Sequence, residues 1–330
     1  MAGIFRCVGV SMIPGCGNPP LIFNSYAGAV PRPTNKGIVW TARATPNNTW
    51  LGITYGAGIF VGVAFNGTAN QVMTSPDGIT WTGRTSAANN IWDSVCYGNG
   101  LFVAVAENGT GNRVMTSTDG ITWTARTSAS DRDWRGVCYG NGLFVAVAAD
   151  GTGNRVMTSP DGITWTSRTS AADYSWFDVA YGNGVFVAVA TTGNASCVMT
   201  SPDGITWTLR TSAIVNNMTG ICYGNGLFVA VNSSGVTDVM TSPDGITWTL
   251  RATGGAGWFG VTYGGGLFVA VGVSGSGHHV ITSPDGITWT IQATPSDQTW
   301  RRVAWGNATF AAVAETGGAA NSMMTSSDAY

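Results

Sequence analysis

Charged residues are scarce in this sequence, and lysine and glutamate are almost missing. Lys and Arg together number 15 among 330 residues and Asp and Glu number 17, so the formal net charge is −2. A chain with so few cations has no basic surface to grip a phosphate backbone, and we expect no nucleic-acid partner. Thr, Ser, Asn and Gly supply most of the polarity. Such a surface suits either neutral partners, such as sugars, or burial in a larger assembly.

Long apolar runs are also missing. No stretch approaches the roughly 18 apolar residues that a membrane-spanning helix needs, so we expect no membrane insertion. The N-terminal residues 1–10 form a poor secretory signal, because Arg6 interrupts the apolar stretch before it reaches the required length. The sequence therefore favours a protein assembled in the cytoplasm.

The six cysteines do not form a disulfide framework. Cys96, Cys138 and Cys222 occupy one repeat position where other repeats have Thr or Ala, which predicts a small, buried strand position. Cys7 and Cys16 could pair, but their spacing alone does not establish a bond.

Metal-ligating residues are equally sparse. His278 and His279 are adjacent, so on a strand they would point to opposite faces and could not share a metal ion. We interpret both as exposed loop histidines, and we expect no metal and no cofactor.

One stretch, Thr-Ser-Pro-Asp-Gly-Ile-Thr-Trp-Thr, recurs along the whole chain. It occupies residues 74–82, 116–124 (with Thr118 for the proline), 158–166, 200–208, 241–249 and 282–290. A seventh copy is divided between the two ends of the chain: residues 325–330 supply its first half and residues 37–41 its second half. The divided copy predicts that the two ends meet in one structural unit.

Each repeat predicts four short strands. Aromatic residues that mark the repeats are spaced 42, 42, 42, 42, 40 and 42 apart, at Tyr55, Tyr97, Tyr139, Tyr181, Tyr223, Tyr263 and Trp305. In the third repeat we expect strands at residues 134–139, 143–148, 155–158 and 163–168, with no helical period between them. Seven units of four antiparallel strands predict an all-β fold, a seven-bladed β-propeller over residues 37–330. An N-terminal strand at residues 38–45 would complete the C-terminal blade.

Residues 1–36 belong to no repeat. Prolines at positions 14, 19, 20, 31 and 33 exclude long helices and central strands, while Ile4, Phe5 and residues 21–23 are apolar. We expect an extended arm that lies either on the propeller or on a partner.

One arginine recurs three residues after the tryptophan of the fourth strand. This position would lie on the outer edge of a blade, where a charge discourages pairing with another sheet, so we interpret these arginines as structural. They are Arg43, Arg84, Arg126, Arg168, Arg210 and Arg251, with Gln292 in the last repeat.

The corner Ser159-Pro160-Asp161-Gly162-Ile163-Thr164-Trp165 resembles the Asp-box of sialidase-like propellers, although Asp161 and Trp165 are one residue closer than in that pattern. In that family the box stabilises the fold and lies far from the active site, so the resemblance implies no catalysis. The corresponding aspartates are Asp77, Asp119, Asp161, Asp203, Asp244, Asp285 and Asp328. The near-identical repeats also look like those of bacteriophage tail and other virion proteins.

Catalysis by a sialidase-like mechanism would need three converging arginines, a tyrosine nucleophile and a glutamate. Outside the repeat position the propeller region has Arg113, Arg132, Arg135, Arg155, Arg301 and Arg302. Glu107 and Glu315 lie in equivalent loops. A carboxylate pair drawn from Asp131, Asp133 and Asp178 remains conceivable, but loop aspartates usually form turns. We expect no enzyme activity.

The loops divide into two sets. The Gly-Asn-Gly and Ser-Pro-Asp-Gly turns barely change among repeats, whereas the loops at the other end of the strands differ in every repeat. Rich in Asn, Asp and Ser, these variable loops are typical of sites that bind neutral glycans or proteins, unless they have simply drifted. The predicted binding residues are Asn90, Asp131, Arg132, Asp133, Asp173, Tyr174, Asn216, Asn217, His278 and Asp297.

The sequence favours a non-enzymatic structural or adhesion protein of a virion, such as a phage tail or capsid. Residues 1–36 would anchor it to other virion proteins, and the variable loops would contact a cell-surface glycan or a protein. A free lectin or protein-binding scaffold at the cell surface or outside the cell is the alternative, and a sialidase-like glycoside hydrolase is a third possibility.

Overall fold

The fold was analysed in a computed structural model that describes residues 36–67, 70–215, 217–234, 239–253, 257–272, 277–316 and 318–327. Contacts divide the chain into two units, Met1–Thr34 and Asn35–Tyr330. The predicted arm, except Lys36, lies outside the described residues, as do Cys7 and Cys16.

The described residues form seven four-stranded antiparallel sheets, here called blades 1–7. Blades 1 to 3 follow the chain in order. Their strands are β2 (Trp50–Gly56), β3 (Ile59–Ala64), β4 (Val72–Ser75) and β5 (Thr82–Arg84); β6 (Trp92–Gly98), β7 (Leu101–Ala106), β8 (Val114–Ser117) and β9 (Thr124–Arg126); β10 (Trp134–Gly140), β11 (Leu143–Ala148), β12 (Val156–Ser159) and β13 (Thr166–Arg168).

Blades 4 to 6 repeat the pattern, and blade 7 combines the two ends of the second unit. Their strands are β14 (Trp176–Gly182), β15 (Val185–Ala190), β16 (Val198–Ser201) and β17 (Thr208–Arg210); β18 (Met218–Gly224), β19 (Leu227–Asn232), β20 (Val239–Ser242) and β21 (Thr249–Arg251); β22 (Trp258–Gly264), β23 (Leu267–Gly272), β24 (Val280–Ser283) and β25 (Thr290–Gln292); β26 (Trp300–Gly306), β27 (Thr309–Ala314), β28 (Met323–Ser327) and β1 (Thr41–Arg43). A 3-10 turn, Asn194–Ser196, and a one-turn helix α1, Gly318–Asn321, lie in loops.

The ring closes through blade 7. Strand β1 pairs antiparallel with β28, with Thr41 opposite Thr325 and Arg43 opposite Met323. The first strands of successive blades contact one another all the way round, including β26 against β2. The prediction of an all-β seven-bladed propeller closed by an N-terminal strand is therefore confirmed.

The core lies between neighbouring blades. Each blade buries its second strand after the first residue: in blade 3, Leu143 is half-buried, whereas Phe144, Val145 and Val147 have no exposed surface. The first-strand tryptophans, among them Trp134, are also fully buried. Runs that are apolar at every position suit strands covered on both faces, as these are by the adjacent blades.

The fourth strands are shorter than predicted. In blade 3 the strand begins at Thr166, not at Ile163, because residues 163–165 belong to the corner. There Asp161 Oδ1 accepts hydrogen bonds from the backbone N–H groups of Ile163 and Thr164, both at 2.8 Å. The Trp165 indole donates to the carbonyl of Gly162 at 3.1 Å. These bonds favour the charged carboxylate, so the backbone N–H of Thr164 and then that of Ile163 hold the pKa of Asp161 below its ordinary value.

The same corner recurs at Asp77, Asp119, Asp203, Asp244 and Asp285. The seventh predicted aspartate, Asp328, lies outside the described residues. The repeated arginine of the fourth strand also has a defined partner: Arg168 Nε donates to Thr158 Oγ1 of the third strand at 2.9 Å. Gln292 makes the equivalent bond to Thr282 in blade 6 at 2.9 Å.

The two ends of the strands define two faces of the ring. The corner face carries the Ser-Pro-Asp-Gly corners and the turns between first and second strands. In those turns an Asn-Gly pair such as Asn141 (φ 49°) and Gly142 (φ 76°) adopts the left-handed backbone that a tight hairpin needs. The loop face carries the variable loops, which precede each first strand and follow each second strand.

Candidate binding site

The second residue of every first strand lies at a β-bulge. In blade 3 the pairing of β10 with β11 shifts between Trp134 and Gly136, which leaves Arg135 without a pairing partner in the sheet. The same shift occurs in the other six blades. A bulge re-aims the side chain of its extra residue. The seven bulged residues are Leu51, Asp93, Arg135, Phe177, Thr219, Phe259 and Arg301.

Arg135 holds three carboxylates from two blades. Its guanidinium contacts Glu107, lies 2.8 Å from Asp133 Oδ2, and lies 3.9 Å from Asp93 Oδ1. Asp93 is a bulged residue of blade 2, and Glu107 follows the second strand of that blade. The guanidinium carbon of Arg135 also lies 5.8 Å from the centre of the Phe177 ring, in blade 4. Arg135 therefore connects blades 2, 3 and 4 at the axis.

We call the centre of the ring, which the first strands surround, the channel. Arg302 and Asp178 pair across it. Their blades, 7 and 4, are not neighbours, yet Arg302 Nη2 lies 3.8 Å from Asp178 Oδ2. Arg302 Nη1 donates to the backbone carbonyls of Thr219 at 2.8 Å and Phe259 at 3.2 Å, which belong to the two blades between them. Asp178 accepts a hydrogen bond from Ile221 N at 3.1 Å. These bonds link four blades.

Arg301 lies above a phenyl ring at the same end of the channel. Its guanidinium carbon is 3.8 Å from the centre of the Phe259 ring, which is within cation–π distance. Arg301 Nη1 lies 3.4 Å from Glu315 Oε2, and the Glu315 side chain is 40% exposed. Phe259 in turn packs edge-on against Phe177, with ring centres 5.7 Å apart.

These side chains close the channel at the loop face. The space enclosed by Leu51, Asp93, Phe177, Phe259, Arg301 and Arg302 is too small for a water molecule. We call this group, with Arg135, Asp178, Glu107, Asp133 and Glu315, the mouth cluster. It offers a closed floor with a partly exposed charge, that of Glu315, at its edge.

One carboxyl of the cluster has a pKa well above its ordinary value. Burial, together with the nearby Asp93 carboxylate, raises the pKa of Glu107 to about 8. Burial also raises the pKa of Asp178, against the opposing effect of Arg302. A single guanidinium, that of Arg135, cannot neutralise three carboxylates, and protonation of Glu107 removes one negative charge from the group.

Replacing Glu107 with glutamine is expected to flatten the pH dependence of stability. The folded pKa of Glu107 is raised, so its protonation favours the folded state below the unfolded pKa of 4.5, and this contribution is lost as pH rises through about 8. The urea midpoint of the unaltered protein should therefore fall between mildly acidic and alkaline pH. The urea midpoint of Glu107→Gln should fall less over the same pH range. The midpoint of Glu315→Gln, at the exposed edge, should change with pH as that of the unaltered protein does. Parallel profiles for Glu107→Gln and the unaltered protein would contradict the assignment.

Three of the predicted binding residues join neighbouring blades. Asp131 and Asp173 accept hydrogen bonds from the backbone N–H of Gly111 at 2.7 Å and of Gly153 at 2.6 Å. Asp297 accepts one from Gly277. In each case the glycine lies in the loop of the preceding blade, so one oxygen of each carboxylate has an internal partner.

A second set of contacts ties together the two loops of one blade. In blade 3, Asp150 accepts a hydrogen bond from the backbone N–H of Asp133 at 2.6 Å. The equivalent acceptors are Asn66, Asn108, Thr192 and Thr316. The residue type changes from blade to blade, but each supplies an oxygen at the same place. Some of these variable loop positions therefore have the same structural role in different blades, which is to accept the hydrogen bond that joins the two loops.

The remaining predicted binding residues are scattered around the loop face. Asn90 is 6% exposed and donates to the carbonyl of Asn112 at 2.9 Å. Arg132 packs on Gly151, and Tyr174 on Gly193 and Trp176. Asn217 donates to Ser234 at 2.7 Å. Asn216 lies outside the described residues. Of all these predicted residues, only Asp133 belongs to the mouth cluster.

The prediction that both histidines are exposed is wrong for one of them. His278 is exposed, but His279 is 4% exposed and lies 3.2 Å from Asp297 Oδ1. It occupies the position of Arg113 and Arg155, which approach Asp131 and Asp173 in the same way.

Within the described ranges, no three His, Cys, Asp or Glu side chains are placed to hold a metal ion. No helix in that part of the chain is long and apolar enough to cross a membrane.

Most of the mouth cluster was missed at the level of sequence. The repeats nevertheless carry its signal: the two residues after the first-strand tryptophan are Leu-Gly, Asp-Ser, Arg-Gly, Phe-Asp, Phe-Gly or Arg-Arg, whereas the rest of the strand repeats closely. A position that breaks the pattern inside a strand is a better marker of a site than a variable loop residue, because strand residues have less freedom to drift.

Comparisons with known proteins identify the fold. No protein-family model matches the sequence, and no curated protein matches it. Among solved structures, virginiamycin B lyase from Staphylococcus aureus, a catalytically inactive variant with quinupristin, is 11% identical with a TM-score of 0.75, over 88% of this chain and 99% of that chain. YCF48 bound to D1 peptide is 15% identical with a TM-score of 0.65, over 88% of this chain and 95% of that chain.

YCF48 from Cyanidioschyzon merolae is also similar, with 17% identity and a TM-score of 0.63, over 87% of this chain and 98% of that chain. At these identities the likeness concerns the fold alone. The chain is a seven-bladed β-propeller, and proteins of this fold include an enzyme and a peptide-binding protein.

Proposed function

We propose that this chain is a non-enzymatic binding protein that recognises a protein partner through the loop face, centred on the mouth cluster. The observation that carries the proposal is the set of bulged residues at the channel mouth. In a scaffold whose blades are otherwise nearly identical, they bring arginine, carboxylate and phenyl side chains from different blades to one place. Arg next to aromatic rings is typical of protein-binding surfaces, and here the Arg135 and Arg301 side chains are 20% and 16% exposed.

The contacts of the carboxylates favour binding over catalysis. A glycosidase needs two carboxyl groups that flank an open site. Here Asp131 accepts a hydrogen bond from the backbone N–H of Gly111, Asp133 contacts Arg135, and Asp178 pairs with Arg302. The space that Asp93, Phe177 and Arg301 enclose with three other residues at the mouth does not admit water. A partner would therefore contact the loop face as a surface.

The peptide bound by YCF48 gives support by analogy, since that propeller has the same overall architecture as this chain. We further propose that the protein works as part of a larger assembly, a virion being the case that the repeats favour. Residues 1–36 would attach it there. If so, the chain should co-sediment with particles at high salt, and a variant that lacks residues 1–35 should not.

Binding of a partner at the mouth cluster can be tested with one charge substitution on each face of the ring. Glu315→Lys reverses an exposed charge at the edge of the cluster, and Ile163→Lys adds a charge on the corner face, where Ile163 is 44% exposed. Tagged variants would be expressed in the source organism and recovered with their bound proteins. Glu315→Lys should reduce recovery of the partner several-fold, and Ile163→Lys should not. Equal recovery with both variants, both folded, would overturn the proposal.

A further inference from the structure

A cleft of about 300 Å³ lies on the loop face between blades 1 and 2. Asn66, Asn89, Asn108, Gln71, Phe65 and Ile91 are among its lining residues, and we call these six the amide cleft. None of the six side chains is ionisable. The cleft is separate from the closed channel, and its volume is at the lower end of the range typical of small-ligand sites.

Two of the amides have fixed orientations. Asn66 Oδ1 accepts a hydrogen bond from Thr49 N at 3.0 Å, and Asn108 Oδ1 accepts one from Ile91 N at 2.6 Å. Because the amide group is planar, fixing its oxygen also fixes its nitrogen. Within the described residues, neither Nδ2 group donates a hydrogen bond. Neighbouring blades therefore present two oriented N–H₂ donors at the cleft.

Phe65 supplies an apolar wall. Its side chain is 43% exposed, although Phe is usually buried. The equivalent position holds Glu107 in blade 2, Ala149 in blade 3 and Thr191 in blade 4. An exposed ring beside amide donors matches the two kinds of surface on a sugar ring, one of C–H groups and one of hydroxyls.

The floor of the cleft is neutral because a glutamine takes the place that an arginine has in other blades. Gln71, 1% exposed, occupies the place of Arg113 and Arg155 in the next two blades. Its Nε2 donates to the carbonyl of Asn90, and its Oε1 accepts from Ser86 at 3.2 Å. At this position, blades 2 and 3 pair an arginine with Asp131 or Asp173. Blade 1 instead has hydrogen bonds between uncharged groups.

We propose that the amide cleft binds a neutral carbohydrate, through one hexose or N-acetylhexosamine residue. Phe65 would pack against the C–H face of the sugar, and the Nδ2 groups of Asn66 and Asn108 would donate to its hydroxyl oxygens. Acidic sugars lack a cation to pair with among the lining residues. This site is additional to the mouth cluster and does not depend on the partner proposed for it.

The chain itself provides a matched substitution. In blades 4 and 7 a threonine hydroxyl, of Thr192 or Thr316, accepts the same backbone hydrogen bond that Asn66 and Asn108 accept. Asn66→Thr and Asn108→Thr should therefore keep the loops in place and remove the N–H₂ donors. Asp150→Thr makes the equivalent change in blade 3, away from the cleft, and serves as the control.

The test is a calorimetric titration of the full chain with lactose, chitotriose and mannotriose at millimolar concentrations. At least one should bind, and Asn66→Thr, Asn108→Thr and Phe65→Ala should each weaken it roughly tenfold, with melting temperatures close to that of the unaltered protein. Asp150→Thr should bind normally. Failure of all three sugars to bind, or equal binding by the cleft variants, would overturn the proposal. Neither result bears on the Glu315→Lys experiment.

Discussion

Replacing Arg302 with methionine is expected to lower the free energy of unfolding by about 3–5 kcal/mol. Methionine fills much of the same space but leaves the Asp178 carboxylate, 16% exposed, without its counter-charge. It also removes the donors to the carbonyls of Thr219 and Phe259. Breaking a buried pair by removal of one partner costs far more than the pair itself contributes. Urea unfolding at neutral pH measures the change.

Two further variants separate charge from packing. Asp178→Asn in the Arg302→Met background removes the unpaired charge while an amide oxygen still faces Ile221 N, so the double variant should recover much of the loss. Arg301→Met should cost less than Arg302→Met, because the partner Glu315 is 40% exposed and remains solvated when the guanidinium is removed, although the contact with Phe259 is also lost. A double variant no more stable than Arg302→Met alone would show that the carboxylate is not the cause.

Replacing Trp40 with alanine is expected to cost about 3–5 kcal/mol and to open the seam of the ring. Trp40 is 7% exposed, packs near Phe310 and donates to the carbonyl of Gly37 at 3.0 Å. Trp207 is the equivalent residue in blade 4. In blade 4, however, the fourth strand continues directly from the third, whereas β1 joins blade 7 only through packing and hydrogen bonds.

The matched comparison is Trp207→Ala. Both variants should lose similar stability in urea, since both leave a cavity of the same kind in a blade. Limited proteolysis should distinguish them: Trp40→Ala should be cut near residues 36–45 while the rest of the chain stays protected, and Trp207→Ala should resist cutting there. Equal protection of residues 36–45 in the two variants would contradict the role of β1 as the closing strand.

The fold was predictable because its information is local and repeated. The divided Thr-Ser-Pro-Asp-Gly-Ile-Thr-Trp-Thr copy predicted that β1 and β28 share a sheet, and the pairing of Thr41 with Thr325 bears this out. The boundaries of the fourth strands were less accurate. Ile163 and Trp165 look like strand residues in the sequence, but the hydrogen bonds of Asp161 hold this segment as a corner.

The candidate site was much less predictable, because it depends on contacts between distant parts of the chain. Arg302 and Asp178 are far apart in sequence and come from blades that are not adjacent, so no local spacing indicates that they meet. The variation after the first-strand tryptophan marks the position of Arg135, but no local pattern indicates the bulge that re-aims its side chain. Conversely, Asp131 and Asp173 stood out in variable loops, yet each has an internal hydrogen-bond partner.

The central claim, that a protein partner contacts the mouth cluster, is tested most directly by site-specific photo-cross-linking. A benzophenone side chain would replace Glu315 at the mouth, or Ile163 on the corner face, in the protein expressed in its source. We predict one discrete cross-linked partner from position 315 and none from position 163. No cross-link from position 315, or the same products from both positions, would contradict the claim.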